Sequence, residues 1–182
     1  MGSVGRVFVA VGLSDDNRHA LAAYLGEVLE PLPGKPVPPA NWHLTIRYMG
    51  DMAELAYDRF LNALDEVEKP VPFRMSFSGL GAFPKPTKAT VLWLGIARGE
   101  DELMALGGAA EMAAVEVGLP GEDRPFQPHL TLTRIQPPRN VWPWLADVPE
   151  PPIKIAVTGV GLYRSHLGGA TPVYELLDTI DL

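Results

Sequence analysis

The triplet His-Leu-Thr occurs twice in this 182-residue chain, as His43-Leu44-Thr45 and His129-Leu130-Thr131, each followed by an apolar residue, Ile46 or Leu132. The surrounding residues favour strands, and along a strand residues i and i+2 share one face. Each histidine therefore sits beside its own threonine, while Leu44, Ile46, Leu130 and Leu132 turn into a core. Two such strands in related halves present two imidazoles and two hydroxyls to a shared cleft.

The rest of the chain repeats around these strands. Arg6–Leu13 (RVFVAVGL) reads as a buried strand. Ser14 caps a helix whose apolar stripe is Leu21, Tyr24, Leu25, Val28 and Leu29, and Pro31 ends it. Pro31–Pro39 carries five prolines and is expected to be irregular. After the first triplet, Asp51 is expected to cap a second helix with Ala56, Phe60, Ala63, Leu64 and Val67 inward. Val71–Leu80 and Ala89–Ala97 read as strands, and Asp101–Val117 as a third helix stopped by Gly118. Strands follow at His129–Ile135, Ile153–Tyr163 and Val173–Ile180, with one helical turn at Val141–Ala146. Both halves thus run helix, HLT strand, helix, strand, strand. Ser78-Gly79-Leu80-Gly81-Ala82-Phe83 also matches Thr158-Gly159-Val160-Gly161-Leu162-Tyr163 position by position. The pattern is that of an internal duplication.

Composition narrows the function. With 47% hydrophobic and 20% charged residues the chain is expected to fold as a compact domain. No stretch approaches the roughly 20 apolar residues of a membrane span. Met1–Leu13 lacks a signal-peptide layout, so a cytoplasmic location is the expectation. There is no cysteine, which excludes disulfides, thiolate metal sites and a cysteine nucleophile. The net charge of −7, from 15 basic and 22 acidic residues, argues against wrapping nucleic acid along a phosphate track.

The paired histidines suit concerted acid–base catalysis, one neutral and accepting a proton, the other charged and donating one. A threonine hydroxyl donates to an oxyanion and is a poor zinc ligand, and no carboxylate repeats with the pair, so no metal or other cofactor is expected. Phosphoryl transfer between water and an alkoxide leaving group needs both proton roles. Thr45 and Thr131 would hold non-bridging oxygens. The residues alone leave open which histidine plays which part.

NWHLTIRYMG and FQPHLTLTR, together with the initial RVFVAV, resemble the 2H phosphoesterases. Within that superfamily they are similar to the bacterial and archaeal RNA 2′,3′-cyclic phosphodiesterases of the LigT/ThpR group, also called 2′-5′ RNA ligases. The resemblance runs from Arg6 to the final strand. It implies an α+β fold in which residues 1–182 form a single domain of two interleaved lobes, with pseudo-twofold duplication and antiparallel sheets around a central cleft. It also implies metal-independent hydrolysis of an RNA terminal 2′,3′-cyclic phosphate to a 2′-phosphomonoester, with His43 as proton donor and His129 as proton acceptor. The partners it implies are RNA 3′ ends or nucleotides bearing that group, with no membrane and no obligate protein partner. In family members the same site can run backwards and join RNA ends through a 2′-5′ linkage. Two alternatives remain at this level: a non-catalytic nucleotide-binding module, and a 2H enzyme for another small cyclic phosphate.

Four further residues are site candidates. Arg134 matches the family's arginine after the second motif, but strand parity turns it away from His129 unless the strand ends or bulges. Arg47 has the right parity with His43 and Thr45, and either arginine could bind phosphate. Phe126 and Phe83 could stack on a base. His166, near the tip of the last hairpin, could approach a substrate, while His19 is expected on a polar helix face. Trp142 and Trp144 are expected to pin their proline-rich loop to the core.

Overall fold

The structure is a computed structural model that describes residues 2–146 and 148–182; Met1 and Asp147 lie outside the described residues. The elements are β1 (Ser3–Gly12), α1 (Asp15–Val28), β2 (Lys35–Pro36), β3 (His43–Ala53), α2 (Glu54–Glu66), β4 (Phe73–Phe83), β5 (Ala89–Arg98), α3 (Glu100–Glu116), β6 (Leu130–Arg139), α4 (Trp142–Leu145), β7 (Lys154–Val157), β8 (Gly159–His166) and β9 (Val173–Asp181). They build two antiparallel sheets, ordered β3-β1-β8-β9 and β2-β6-β5-β4-β7. This is the expected α+β architecture.

The helices form for local reasons. Ser14 Oγ accepts the Asn17 amide at 3.2 Å, and Asp15 and Asp16 complement the α1 dipole. Gly118, at φ +85°, ends α3 through its amide to the Val115 carbonyl at 3.0 Å, and the Leu119 amide reaches Ala114 at 2.9 Å. Tyr57, Phe60, Ala63 and Leu64 of α2 and Leu103, Leu106, Ala110 and Ala114 of α3 are buried, and α2 and α3 both pack on β3. A main core joins these helices to Leu44, Ile46, Leu130 and Leu132 from the two HLT strands. A smaller cluster of Ala89, Leu92, Ile135 and Val141 lies under Trp144 and Leu145.

The repeat is exchanged between the sheets. β4 follows the first HLT strand in sequence but lies beside β5 in the second sheet, and β8 follows the second HLT strand but lies beside β1 in the first. The register carries the same correspondence. Ala10 faces Thr45 on one side and Gly161 on the other, just as Trp93 faces Thr131 and Gly81.

Three expectations need correction. Ile153–Tyr163 is not one strand: it breaks at Thr158, where the chain passes from a place beside β4 in one sheet to a place beside β1 in the other. The proline-rich segment is not wholly irregular, because Lys35 and Pro36 pair with Arg134 and Thr133. A proline on this edge strand leaves no inner donor unpaired. Asp51 does not cap α2; it lies within β3 facing Arg6 of β1, and Ala53 precedes the helix without a side-chain cap. Trp144 does anchor its loop, donating Nε1–H to the Pro31 carbonyl at 3.1 Å, whereas Trp142 is exposed.

Candidate active site

β3 and β6 approach one another between the sheets, and a cleft of about 290 Å³ opens there. His43, Thr45, His129, Thr131 and Arg134 all line it. The volume lies near the lower end of small-molecule sites, roughly 300–1,000 Å³.

The two imidazoles are held alike. His43 Nδ1 lies 2.7 Å from the Asn41 carbonyl, and His129 Nδ1 lies 2.7 Å from the Gln127 carbonyl. A carbonyl only accepts, so each Nδ1 carries the proton and each neutral ring turns its Nε2 lone pair away from its anchor. His43 Nε2 is 3.0 Å from Thr45 Oγ1. Aromatic rings flank both. Phe8 lies 5.0 Å from the His43 ring, and Tyr174 meets it edge-on at 5.1 Å. Phe83 meets His129 edge-on at 5.0 Å, with Trp93 at 5.8 Å. Burial among these rings is the main cause that pushes both imidazole pKa values down. The backbone acceptors partly offset that fall, and the nearby Arg134 charge adds to it at both rings. The His129 charge adds a smaller lowering at His43.

A β-bulge in each HLT strand sets the direction of the side chains beyond the threonine. In β3 the register slips at Ile46, between Thr45 opposite Ala10 and Arg47 opposite Val9. In β6 it slips at Leu132, between Thr131 opposite Trp93 and Thr133 opposite Leu92. Each extra residue inverts the parity of the strand beyond it. Arg134 therefore lines the cleft, as the bulge condition required. Arg47 does not, which corrects its expected place. It is buried on the opposite face, where Nε lies 2.7 Å from Glu111 and Nη1 lies 2.5 Å from Glu122, and Nη2 donates to the Pro120 carbonyl at 2.7 Å. Its pseudo-symmetric equivalent, Thr133, is likewise buried and donates to the Pro33 carbonyl at 2.6 Å.

The two phenylalanines are also relocated. Phe126 packs against the main core and fills the slot above Gly107 of α3, where a Cβ would collide with its ring. Phe83 is absent from the cleft lining and supports the His129 ring instead. His166 bonds Glu175 at 2.6 Å, and His19 takes no cleft role, lying exposed with Nδ1 2.8 Å from the Asp15 carbonyl. Sequence reasoning missed Phe8, Lys35, Asn41, Tyr48, Ser165 and Tyr174, all of which line the cleft. Tyr48 had a signal, since it stands five residues after His43 as Arg134 stands five after His129. Tyr174 had none, because β9 reaches the site only through the order of the sheet.

Lys35 and Arg134 are the permanent cations of the cleft lining, in which the described residues include no aspartate or glutamate. Among the described residues no group of three or more His, Asp or Glu side chains could hold a metal ion. No helix among them is long and apolar enough to cross a membrane.

Comparison with known proteins agrees with this arrangement. The family model described as LigT like Phosphoesterase matches the chain twice in succession, over residues 11–93 and 94–174. The chain belongs to the LigT-like phosphoesterase family. Its two matches fall one on each half of the duplication. An RNA 2′,3′-cyclic phosphodiesterase of Thermus thermophilus is 36% identical, over 97% of this chain and 90% of that protein. A crystal structure of TT0787 of Thermus thermophilus superposes with a TM-score of 0.75 at 30% identity, over 97% of both chains. Escherichia coli LigT, in a crystal structure with 3′-AMP, shares the fold with a TM-score of 0.79 over 98% of both chains, at 24% identity.

Proposed function

We propose that residues 1–182 act as one domain of two interleaved lobes that hydrolyses RNA terminal 2′,3′-cyclic phosphates to 2′-phosphomonoesters without a metal. The observation that carries this reading is the matched anchoring of His43 and His129, each by Nδ1 on the carbonyl two residues earlier, across a cleft that also contains Thr45, Thr131 and Arg134. The activity named for the Thermus thermophilus relative supports the substrate class. The donor set of the cleft, two imidazoles without a carboxylate or thiolate, supports proton transfer rather than Lewis-acid activation.

In this reading Arg134, Thr45 and Thr131 hold the non-bridging oxygens of the cyclic phosphate. Neutral His129 accepts a proton through Nε2 from the attacking water as the new P–O bond forms. Protonated His43 donates from Nε2 to the 3′ oxygen as the P–O3′ bond breaks, and the phosphate remains on O2′. Burial disfavours the charged form of His43 in the free protein, so the bound phosphate anion supplies the field that charges it. With the 5′-hydroxyl of a second RNA in place of water, the same proton transfers join two ends through a 2′-5′ linkage. The location proposed for this activity is the cytoplasm.

The test is a short RNA ending in a 2′,3′-cyclic phosphate, incubated with excess EDTA and analysed for regiochemistry. The expected product is the 2′-phosphomonoester, formed at an unchanged rate with chelator. His43→Ala and His129→Ala should each slow turnover by roughly 10²–10⁴-fold. Loss of activity in EDTA, formation of the 3′-phosphate, or indifference to both substitutions would reject the mechanism.

A further inference from the structure

The cleft holds more permanent positive charge than one cyclic phosphate monoanion requires. Arg134 and Lys35 both line it, and neither forms an ion pair among the described residues. In a chain of net charge −7, two cations left without carboxylates side by side are a local exception.

The fold holds this pair in place. Lys35 of β2 lies directly opposite Arg134 of β6, and side chains so placed in an antiparallel pair start about 4.5–5.5 Å apart on one face. Gly34 makes the close approach possible: its φ is +77°, and a Cβ there would collide with the Arg134 carbonyl oxygen. The segment is clamped on both sides of Lys35. Thr133 donates to the Pro33 carbonyl at 2.6 Å, and the Val37 amide to the Leu132 carbonyl at 2.8 Å. The lysine ammonium donates to the Ala170 carbonyl in the β8–β9 connection. A neutral carbonyl is a partner that an anion can displace.

We propose that Lys35 forms a second anion subsite, which takes the phosphodiester on the 5′ side of the terminal ribose. The reacting phosphate is matched by Arg134, the threonines and a charged His43. A cyclic mononucleotide offers Lys35 nothing, whereas an oligonucleotide carries its next negative charge one nucleotide away. The preferred substrate class is therefore an RNA end of two or more nucleotides. This rests on reading the cleft as a site for RNA ends.

Equilibrium binding separates the subsite from catalysis. Adenosine 2′-monophosphate and adenosine 2′,5′-bisphosphate share every group except the 5′ phosphate. The native protein should bind the bisphosphate about tenfold more tightly or better at low salt, as one charge-assisted contact allows. That preference should shrink to within about twofold in Lys35→Ala, persist in Lys35→Arg, and fade as salt is raised. In parallel, Lys35→Ala should raise KM for a dinucleotide ending in a cyclic phosphate by a clearly larger factor than KM for a cyclic mononucleotide, and an equal change in both overturns the subsite. A native protein indifferent to the 5′ phosphate, or a Lys35→Ala variant that keeps the preference, overturns the subsite. Binding of neither ligand overturns both the subsite and the RNA-end reading. A lysine-dependent preference in a protein that hydrolyses nothing supports the subsite and rejects only the hydrolase.

Discussion

Tyr48 and Arg134 occupy equivalent places in the two halves: each follows its HLT threonine by three residues, and each is returned to the cleft by a one-residue bulge. The duplicated strands thus present the same histidine–threonine pair but end differently, in a phenol on one side and a guanidinium on the other. In the proposed mechanism the cation that holds the reacting phosphate, Arg134, comes from the second half. Arg134→Ala should lower kcat/KM for a cyclic phosphate by roughly 10–100-fold, the loss of a charged hydrogen bond worth about 1.5–3 kcal/mol. Arg134→Lys, keeping charge without the bidentate fork, should recover part of it. Steady-state kinetics on a cyclic mononucleotide check both.

Arg47 belongs to stability rather than to turnover. It ties β3 to Glu111 of α3 and to Glu122 and Pro120 on the approach to His129. Removing it strands two carboxylates that are themselves partly exposed, so Arg47→Ala should cost about 2–4 kcal/mol, below the full loss for a deeply buried pair. Urea unfolding would read this as a lower midpoint. Arg47→Ala combined with Glu111→Gln should cost less than the sum of the two single changes. A stable Arg47→Ala variant with abolished phosphate affinity would contradict this assignment.

The lowered histidine pKa values set two pH dependences. The proposed mechanism needs one imidazole charged and one neutral, and in the free protein burial holds both below the usual value of about 6.5. The kcat/KM profile should therefore be bell-shaped with its maximum below about pH 6.5, and the kcat profile should lie at higher pH because bound phosphate favours charged His43. Stability should follow the same groups. The unfolded histidines bind protons more readily, so the histidine contribution is complete above about pH 6.5 and is lost as pH falls through the lower folded values. Thermal unfolding between about pH 5 and 8 would show the decline, and a His43→Ala, His129→Ala double variant should flatten it.

The paired glycines behind the histidines carry a packing prediction. A Cβ on Gly81 would collide with the Trp93 ring, and one on Gly161 would lie 2.5 Å from the Tyr163 ring. Gly81→Ala should displace Trp93 and disturb His129, and Gly161→Ala should displace Tyr163, which stacks on Phe8 beside His43. Each should cost about 1–3 kcal/mol as overpacking. Because the ring supports differ, the first should shift the pKa of His129 and the second that of His43, measurable by NMR titration.

The repeat, the strand faces of His43, Thr45, His129 and Thr131, and most of the helices are legible from the chain alone. They arise from interactions within a few residues: a period of two, a period of 3.6, and caps at Ser14 and Gly118. Features that depend on neighbours distant in the chain emerge only once the sheets are assembled. Whether Arg47 or Arg134 faces the cleft turned on bulges at Ile46 and Leu132, because one extra residue reverses every side chain beyond it. The break of Ile153–Tyr163 at Thr158 depended on two sheets competing for one apolar run. Lys35 reached Arg134, and Tyr174 reached His43, only through strand pairings that local sequence does not encode.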